Sequence, residues 1–540
     1  MAGSSRLAPL LAALAHLALA GPAAAQSLTV GDALEDYLRL LQIGGADVPG
    51  SFTVRGVWED GTWEEVGGGA GTPWEDRLAG ERARAERGAA LSILDPRLGL
   101  FANTRQPTPG NDGALWQGKG LTGVLEMGAA ARWGPLTLTL RPALLFNQNA
   151  DVDLAPVIVS GQTEWAYPWR WIDMPQQFGP DAFWTVDPGQ SELRLDLFGA
   201  SAGVSTANLW WGPGIRNAIV MSNNAPGFLH AFLGTDGPLD IGIGGLEARW
   251  VWGRLELSDW YAPAATNRDR FITGIVLAYS PEFVPGLSLG LTRVFYVFSD
   301  DGVALGDWFA VFQGVRKRTL VTPENPTGDD EHDQLLSLFG RWALRESGFE
   351  VYWEWARNDH SWDVRDFVLE PEHSQGYTLG IQKAFELRGS RLLALRFELT
   401  HLEADPTFQV RARGTFFTHH IVRPGYTQRG QVIGAAVGPG GNGQHLGADL
   451  YAPWGRARLW VQRDVTDNDA YYEWVAANGP AEGWCCHDVS FRFGLDGLWF
   501  AREALDLGGG AVVTRQLNRW FEGPDVWNLN LSLTARWRLD

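Results

Sequence analysis

Cysteine is almost absent. The 540 residues hold two, adjacent as Cys485 and Cys486. That count excludes a disulfide framework. An adjacent pair either closes a vicinal disulfide in an oxidising compartment or stays as two thiols in a loop. Positive charge is also short: 44 Lys and Arg against 63 Asp and Glu leave a formal net charge of −19. Such a chain lacks the basic face that a nucleic-acid binder needs. Charged residues are only 20% and hydrophobic residues 45%, which excludes a disordered chain. Beyond the first 25 residues no window offers the ~18 uninterrupted apolar residues of a membrane-crossing helix. Catalytic signatures are missing too. No Gly-x-Ser-x-Gly elbow occurs, and Cys485-Cys486-His487 and His419-His420 lack zinc-ligand spacing. His360, Ser361 and Asp363 are neighbours in sequence, which is no triad. The chain is therefore read as non-enzymatic, with no metal and no cofactor.

Tryptophan and glycine are abundant, at 27 and 66 residues, and the excess Trp needs a physical reason. The N-terminus begins the account. Arg6, the apolar run Leu7 to Ala20, and Ala23-Ala24-Ala25 before Gln26 read as a secretory signal peptide over residues 1–25. Residues 26–88 form a helical, plug-like region. Asp32 and Glu35 make a capping box ahead of Leu34, Tyr37, Leu38 and Leu41, and Gly44-Gly45 ends that helix. Thr72, Pro73 and Glu75 open a second, polar helix running to about Arg84.

From Ala89 the period becomes two. Leu393, Leu395, Phe397 and Leu399 alternate with Ala394, Arg396, Glu398 and Thr400. Near the C-terminus Trp527, Leu529, Leu531, Leu533, Ala535 and Trp537 share one face, and Asn528, Asn530, Ser532, Thr534, Arg536 and Arg538 the other. The strands run to ~10 residues or more, and Trp133, Trp250, Trp252, Trp499 and Trp537 are read as an aromatic girdle at strand ends. Trp133-Gly134-Pro135 and Trp252-Gly253-Arg254 are read as tight turns, and 151–190, 300–333 and 359–374 as long outer loops. In hydrocarbon every backbone polar group must pair, so such a sheet must close. Lipid-facing Arg costs ~2–4 kcal/mol at mid-depth, so charges belong in the lumen phase. The fold class is all-β: a transmembrane antiparallel β-barrel of about 18 strands over 89–540, at ~25 residues per strand and connection, with a small N-terminal helical element. The location is the bacterial outer membrane. The partners are outer-membrane lipid and the outer-membrane assembly machinery, with no nucleic acid, and the protein is a monomer.

Three stretches resemble the capsule assembly protein Wzi family. The first is Asn208-Leu209-Trp210-Trp211-Gly212-Pro213-Gly214 followed by Ser222-Asn223-Asn224-Ala225-Pro226. The second is Gly425-Tyr426-Thr427-Gln428-Arg429-Gly430-Gln431, and the third, weaker, Glu370 to Tyr377. The resemblance implies an occluded, non-conducting barrel of about 18 strands. It also implies a surface lectin that binds exported capsular or other surface polysaccharide and helps anchor a capsule. An outer-membrane porin is the alternative.

The Trp210 to Ala225 segment is read either as an inward-folded loop that narrows the lumen or touches glycan, or as a turn whose Asn223 and Asn224 amides satisfy local backbone. Trp165, Tyr167, Trp169 and Trp171 alternate in a long outer loop and are candidates to stack on sugar rings, against simple packing within the loop. Arg411, Arg413, Arg423 and Arg429 flank His419-His420 and suit a polyanion, against ion pairing with lumen carboxylates.

Overall fold

The computed structural model describes residues 28–57, 71–87, 91–262, 269–300, 302–314, 332–359, 363–405, 414–479 and 484–539. The signal peptide over 1–25, and with it Arg411 and Arg413, lie outside the described residues.

Alternation of apolar and polar side chains forces each strand to present two unlike walls, and the strands satisfy both by closing on themselves. The staves are β1 (Leu91–Asn103), β2 (Gly120–Trp133), β3 (Leu136–Leu140 with Ala143–Asn147), β4 (Phe183–Asp187 with Glu192–Leu197), β5 (Ala200–Ser205) and β6 (His230–Thr235). They continue as β7 (Gly244–Leu255), β8 (Arg270–Pro281), β9 (Leu287–Phe298), β10 (Asp333–Leu344), β11 (Phe349–Asn358) and β12 (Gln375–Leu387). The last six are β13 (Arg391–His401), β14 (Asn442–Ala452), β15 (Gly455–Val465), β16 (Val489–Arg502), β17 (Leu505–Leu517) and β18 (Val526–Trp537). All neighbours are antiparallel, and β1 pairs with β18 (Leu98 opposite Ala535) to close an 18-stranded barrel. β3 is broken at Arg141-Pro142, where proline has no N–H to give the ladder. Short turns alternate with long connections, so the long ones face outward and the short ones the periplasm.

On β18 the exterior carries Leu531 and Leu533, both exposed, while Asn528 and Asn530 are buried in the lumen. Arg396 and Glu398 likewise point inward from β13. Two details differ from the sequence reading. Trp252-Gly253-Arg254 is not a turn but lies inside β7, paired with Thr273, Ile272 and Phe271 of β8. Gly253 is needed because the Phe228 ring occupies the place of a side chain: a Cβ would sit 2.7 Å from it. And not every charge faces inward. Outward cations near strand ends, such as Lys383 and Arg515, can reach the interface, but Arg293 lies in the middle of β9 on the outward phase. It is tolerated because polymer covers it: its guanidinium donates to the carbonyls of Val311 and Gln313 at 3.1 and 2.6 Å.

The lumen is filled. Helix α1 (Ala33–Ile43) is capped by Asp32, whose side chain accepts from Leu34 N–H, and by Glu35, which accepts from Gly31 N–H at 2.9 Å. It lies at the periplasmic end with Tyr37, Leu38, Leu41 and Ile43 packed on Ala343, Leu392 and Tyr451. Helix α2 (Glu75–Arg87) follows, and just ahead of it the Trp74 indole donates to the carbonyls of Ala452 and Gly455 at the β14–β15 turn, 3.2 Å each. The polar side chains of α1 meet the wall charges in kind. Arg39 and Arg341 share Glu350 at 2.5 and 2.6 Å. Asp36 meets Arg396, Arg456 and Arg458 at 3.1, 3.7 and 2.9 Å. Asp32 pairs with Arg97 and Arg536. Burial alone would raise the Asp32 and Asp36 carboxyls, but these guanidinium groups hold both well below the usual range.

Candidate functional site

After β5 the chain turns into the lumen instead of passing over the rim. Trp210 and Trp211 form a two-residue antiparallel pair with Arg55 and Val54. Trp211 is wholly buried, and Gly212 takes φ 101° because the next peptide must bend past Glu354, whose carboxylate would lie 2.9 Å from a Cβ. The Gly212 N–H donates to Thr53 O at 2.8 Å, and the Pro213 carbonyl accepts from Arg39 of α1 at 2.7 Å. Gly214 O accepts from the Trp210 indole at 3.0 Å.

The following backbone is held by one acid. Glu398 accepts the N–H groups of Ile215, Arg216 and Asn217 at 2.6, 3.1 and 2.8 Å, with the Tyr352 hydroxyl donating at 2.8 Å. Glu354 accepts Ile219 N–H at 2.9 Å. The other motif meets this one. Ser222 donates from N–H and hydroxyl to Ile433 O and Gly434 O at 3.0 and 2.7 Å, Asn224 donates to Val432 O at 2.8 Å, and Asn223 to Asn111 O at 3.1 Å. Thr427–Gln428 and Gln431–Val432 form a small hairpin, with Gly430 tight against Phe178 and Pro175. Arg429 spans Glu256 and Asp187 at 2.6 and 3.0 Å, Thr427 accepts from buried Arg270 at 3.2 Å, and Tyr426 is buried over Phe417. These motif residues fill the middle of the barrel, and the two Asn amides are spent on backbone carbonyls.

Above and beside this plug is a cleft of about 380 Å³. Its lining includes Asp112, Trp116 and Gln117 of the β1–β2 connection, Tyr167 and Gln176 of the β3–β4 connection, Arg216 and Asn217 of the inward loop, Val437 and Pro439 after the hairpin, Asp467 after β15, and the lumen faces of β15 to β18. The strand contribution includes Trp460, Gln462, Asp464, Arg492 and Asn530. Gly110, Asn111, Asp112 and Arg216 also line a deeper cavity of about 200 Å³ that reaches Asp36, Arg396 and Arg458 beside α1. Arg216 thus stands between the two spaces, with its guanidinium 5.6 Å from the Trp460 ring and donating to the Gln462 side-chain Oε1 at 3.3 Å. Burial pushes the Asp112 carboxyl up to about 7, against a hydrogen bond from Gln117 and the charge of Arg216. Indole faces beside amides, carboxylates and guanidinium groups provide stacking for C–H surfaces and both partners for hydroxyls. Among the described residues no group of His, Cys, Asp and Glu side chains could hold a metal ion.

The aromatic row of the outer loop is dispersed. Trp165 packs edge-on to Trp260 at 5.1 Å, and Trp169 lies against Trp484 at 4.8 Å. Tyr167 is buried and donates to Asp467 at 2.7 Å. Trp171 meets Tyr261 at 6.2 Å and carries the exposed Arg423 guanidinium 5.1 Å above its ring. Only Tyr167 of these four reaches the cleft. Cys485 and Cys486 are joined to each other, under the Phe521 carbonyl that accepts Cys485 N–H at 3.0 Å. Trp116 and Trp460 escaped the sequence reading, and Arg216 was covered only as part of the Trp210 to Ala225 segment. Trp460 had a usable signal: it interrupts the polar lumen face Arg456, Arg458, Gln462, Asp464. Trp116 had none, because only the folded loop brings it across.

Comparison with solved structures finds the Escherichia coli outer-membrane protein Wzi, a carbohydrate-binding β-barrel involved in group 1 capsule assembly. The TM-score is 0.63 at 12% identity, covering 95% of this chain and 100% of that one. Pseudomonas putida OprB matches at a TM-score of 0.39 and 11% identity, over 86% of this chain and 97% of that one. Pseudomonas aeruginosa OprD matches at 0.38 and 10%, over 82% and 92%. Comparison with curated proteins gives no match. The sequence profile described as capsule assembly protein Wzi matches residues 115–451, which span the inward loop, the hairpin and the strands that hold them, and with that barrel the chain belongs to the Wzi family of outer-membrane proteins.

Proposed function

We propose that the protein binds an exported polysaccharide in the outward cleft and holds it at the cell surface as part of capsule assembly, without catalysis and without conducting solutes. The observation that carries this is the cleft itself. It places two indoles, Trp116 and Trp460, beside Arg216, Arg492, Gln462 and Asp464 in a space of about 380 Å³, above a lumen filled by side chains. The family's link to capsule assembly and the carbohydrate binding of the Escherichia coli relative support the same reading. Trp171 and Arg423 extend the surface outward, and Arg411 and Arg413, in the sequence between β13 and β14 as Arg423 is, are further candidates for a polyanion. The N-terminal region over 26–88 acts as a plug, and the barrel works as a monomer delivered by the outer-membrane assembly machinery.

The test uses the full protein in lipid nanodiscs with the surface polysaccharide of its own host. Trp116→Ala with Trp460→Ala should weaken binding at least about tenfold, a loss of ~1.4 kcal/mol, while the heat-modifiable gel mobility of a folded barrel is kept. Unchanged affinity with an intact barrel would falsify the cleft. In cells, deletion should strip cell-associated capsule while polysaccharide still appears in the medium.

A further inference from the structure

Side chains on the lipid face of a barrel normally have no hydrogen-bonding task. On one sector of this wall they do. The outward Trp252 indole donates to the Trp308 carbonyl at 2.9 Å. Arg293 donates to the carbonyls of Val311, Gln313 and Gly314 at 3.1, 2.6 and 3.3 Å. The receiving segment, 302–314, belongs to the β9–β10 connection and contains the short turns Leu305–Trp308 and Ala310–Phe312. It has left the mouth of the barrel and lies on the outside wall. Ala310 and Val311 are buried against Phe295, with Trp250 and Ile275 alongside. Much of its apolar surface is still open: Leu305 is 79% exposed, and Phe309 and Phe312, edge-on to Trp250 at 5.5 and 5.2 Å, are 51 and 64% exposed. Asp307 accepts from Ala304 N–H at 2.7 Å and lies 2.9 Å from the His332 ring, tying the segment to the start of β10.

The β11–β12 connection also lies against the outside wall, there through ring contacts. Its helix Val364–Leu369 sets Phe367 edge-on to the outward Trp355 at 6.0 Å, with the Arg357 guanidinium 5.4 Å from the same ring. Val364, Val368 and Leu369 are exposed.

Irregular backbone persists in hydrocarbon only where its carbonyls find donors within the protein. Facing water, the carbonyls of 302–314 would need none, yet their donors stand on the lipid side of the strands. We infer that segments 302–314 and 364–369 form a collar embedded in the outer leaflet, with its exposed apolar side chains seated among lipid acyl chains. Continuity decides the occupant. The open side of the collar continues onto the lipid-facing wall of β9 and of β10, the strand between β9 and β11, where Leu289, Leu338 and Trp342 are exposed. The collar also explains how Arg293 survives in mid-strand.

Spin labels test this in the full chain, reconstituted in phosphatidylethanolamine–phosphatidylglycerol vesicles. Labels are placed at Phe312→Cys and Leu369→Cys in a Cys485→Ser, Cys486→Ser background, with Leu338→Cys as the lipid reference and Asn478→Cys as the aqueous one. The collar labels should collide with oxygen several-fold more than with a water-soluble nickel chelate, as the Leu338 label does. Collision behaviour like that of the Asn478 label overturns the proposal. Dipolar broadening that vanishes on dilution with unlabelled protein also overturns it, because a second copy then covers the collar. Arg293→Met should move the Phe312 label to the aqueous reading and leave the Leu338 label unchanged. A Phe312 label that stays lipid-like in that variant would remove Arg293 as the holding group.

Discussion

At the scale of residues, one carboxylate decides the path of the inward loop. Glu398 satisfies three consecutive N–H groups, at Ile215, Arg216 and Asn217, that no strand or helix would otherwise pair. A buried donor left without a partner costs ~1–3 kcal/mol, so Glu398→Ala should lower stability by about 3 kcal/mol or more, and Glu398→Gln by less because one carbonyl oxygen remains. Urea midpoints in nanodiscs measure the loss, and amide exchange at 215–217 should quicken by orders of magnitude in the Ala variant alone. Asp112 makes a prediction with a pH signature. Its folded pKa, near 7, lies above the ordinary 3.8, so folding favours the protonated form. The resulting destabilisation is absent below the unfolded value, grows between the two, and is complete above 7. Asp112→Asn should therefore stabilise the protein at pH 8, by no more than about 2 kcal/mol because cavity water screens the charge, and do nothing at pH 3.5. Equal midpoints for the two proteins at pH 8 would count against it. The same residues show why the cleft was hard to read from sequence. Arg216 and Trp460 are 244 positions apart and Trp116 lies 100 before Arg216, so no local pattern links them. The two motif stretches that could be read are the plug beneath the cleft.

At the scale of elements, α1 is less an apolar plug than a charge-matched one. Asp36 alone meets three guanidinium groups, on β13 and β15. Removing one partner of a sealed pair costs ~3–5 kcal/mol; Asp36 is a quarter exposed, so Asp36→Ala should cost about 2–3 kcal/mol. It should also loosen α1, seen as faster proteolysis of residues 28–57 from the periplasmic side in reconstituted vesicles. Because the Asp32 and Asp36 carboxyls are held low in the folded state, their contribution is present above the ordinary 3.8 and is lost only as pH falls well below it. The strands themselves were legible because period two has one solution in lipid, and the capped start of α1 was legible from Asp32 and Glu35. Trp252-Gly253-Arg254 misled because a glycine beside an aromatic looks like a turn until Phe228 is seen to need the space. Arg293 misled in the other direction. The rule against charge on the lipid face is correct, but the segment that meets the cost arrives from another loop.

At the scale of the whole molecule, the barrel is closed by layers supplied from separate parts of the chain. The periplasmic layer is α1 with Phe52 and Trp74 on Tyr451. The middle layer is the inward loop around Trp211 and Ile219, and the outward layer is the hairpin with Phe416, Phe417 and Tyr426. An 18-stranded ring is wide enough for an aqueous passage unless it is filled, so conductance reads directly on the filling. The full protein in a planar bilayer should give no stable single-channel steps. Removing 28–57 alone should still give none: the loop loses Arg39, Thr53 and the Val54–Arg55 pairing, but Glu398, Glu354 and Arg270 on the wall still hold the Trp211 and Tyr426 layers. Removing 28–57 and also replacing 207–227 with a short turn should produce steps, since the hairpin then loses the partners of Val432 and Ile433. Conductance in the full protein would mean the filling is a gate and would favour transport. Conductance after loss of the helix alone would mean that the inner layers depend on α1 for their place, and silence in the double variant would mean that the hairpin closes the ring unaided.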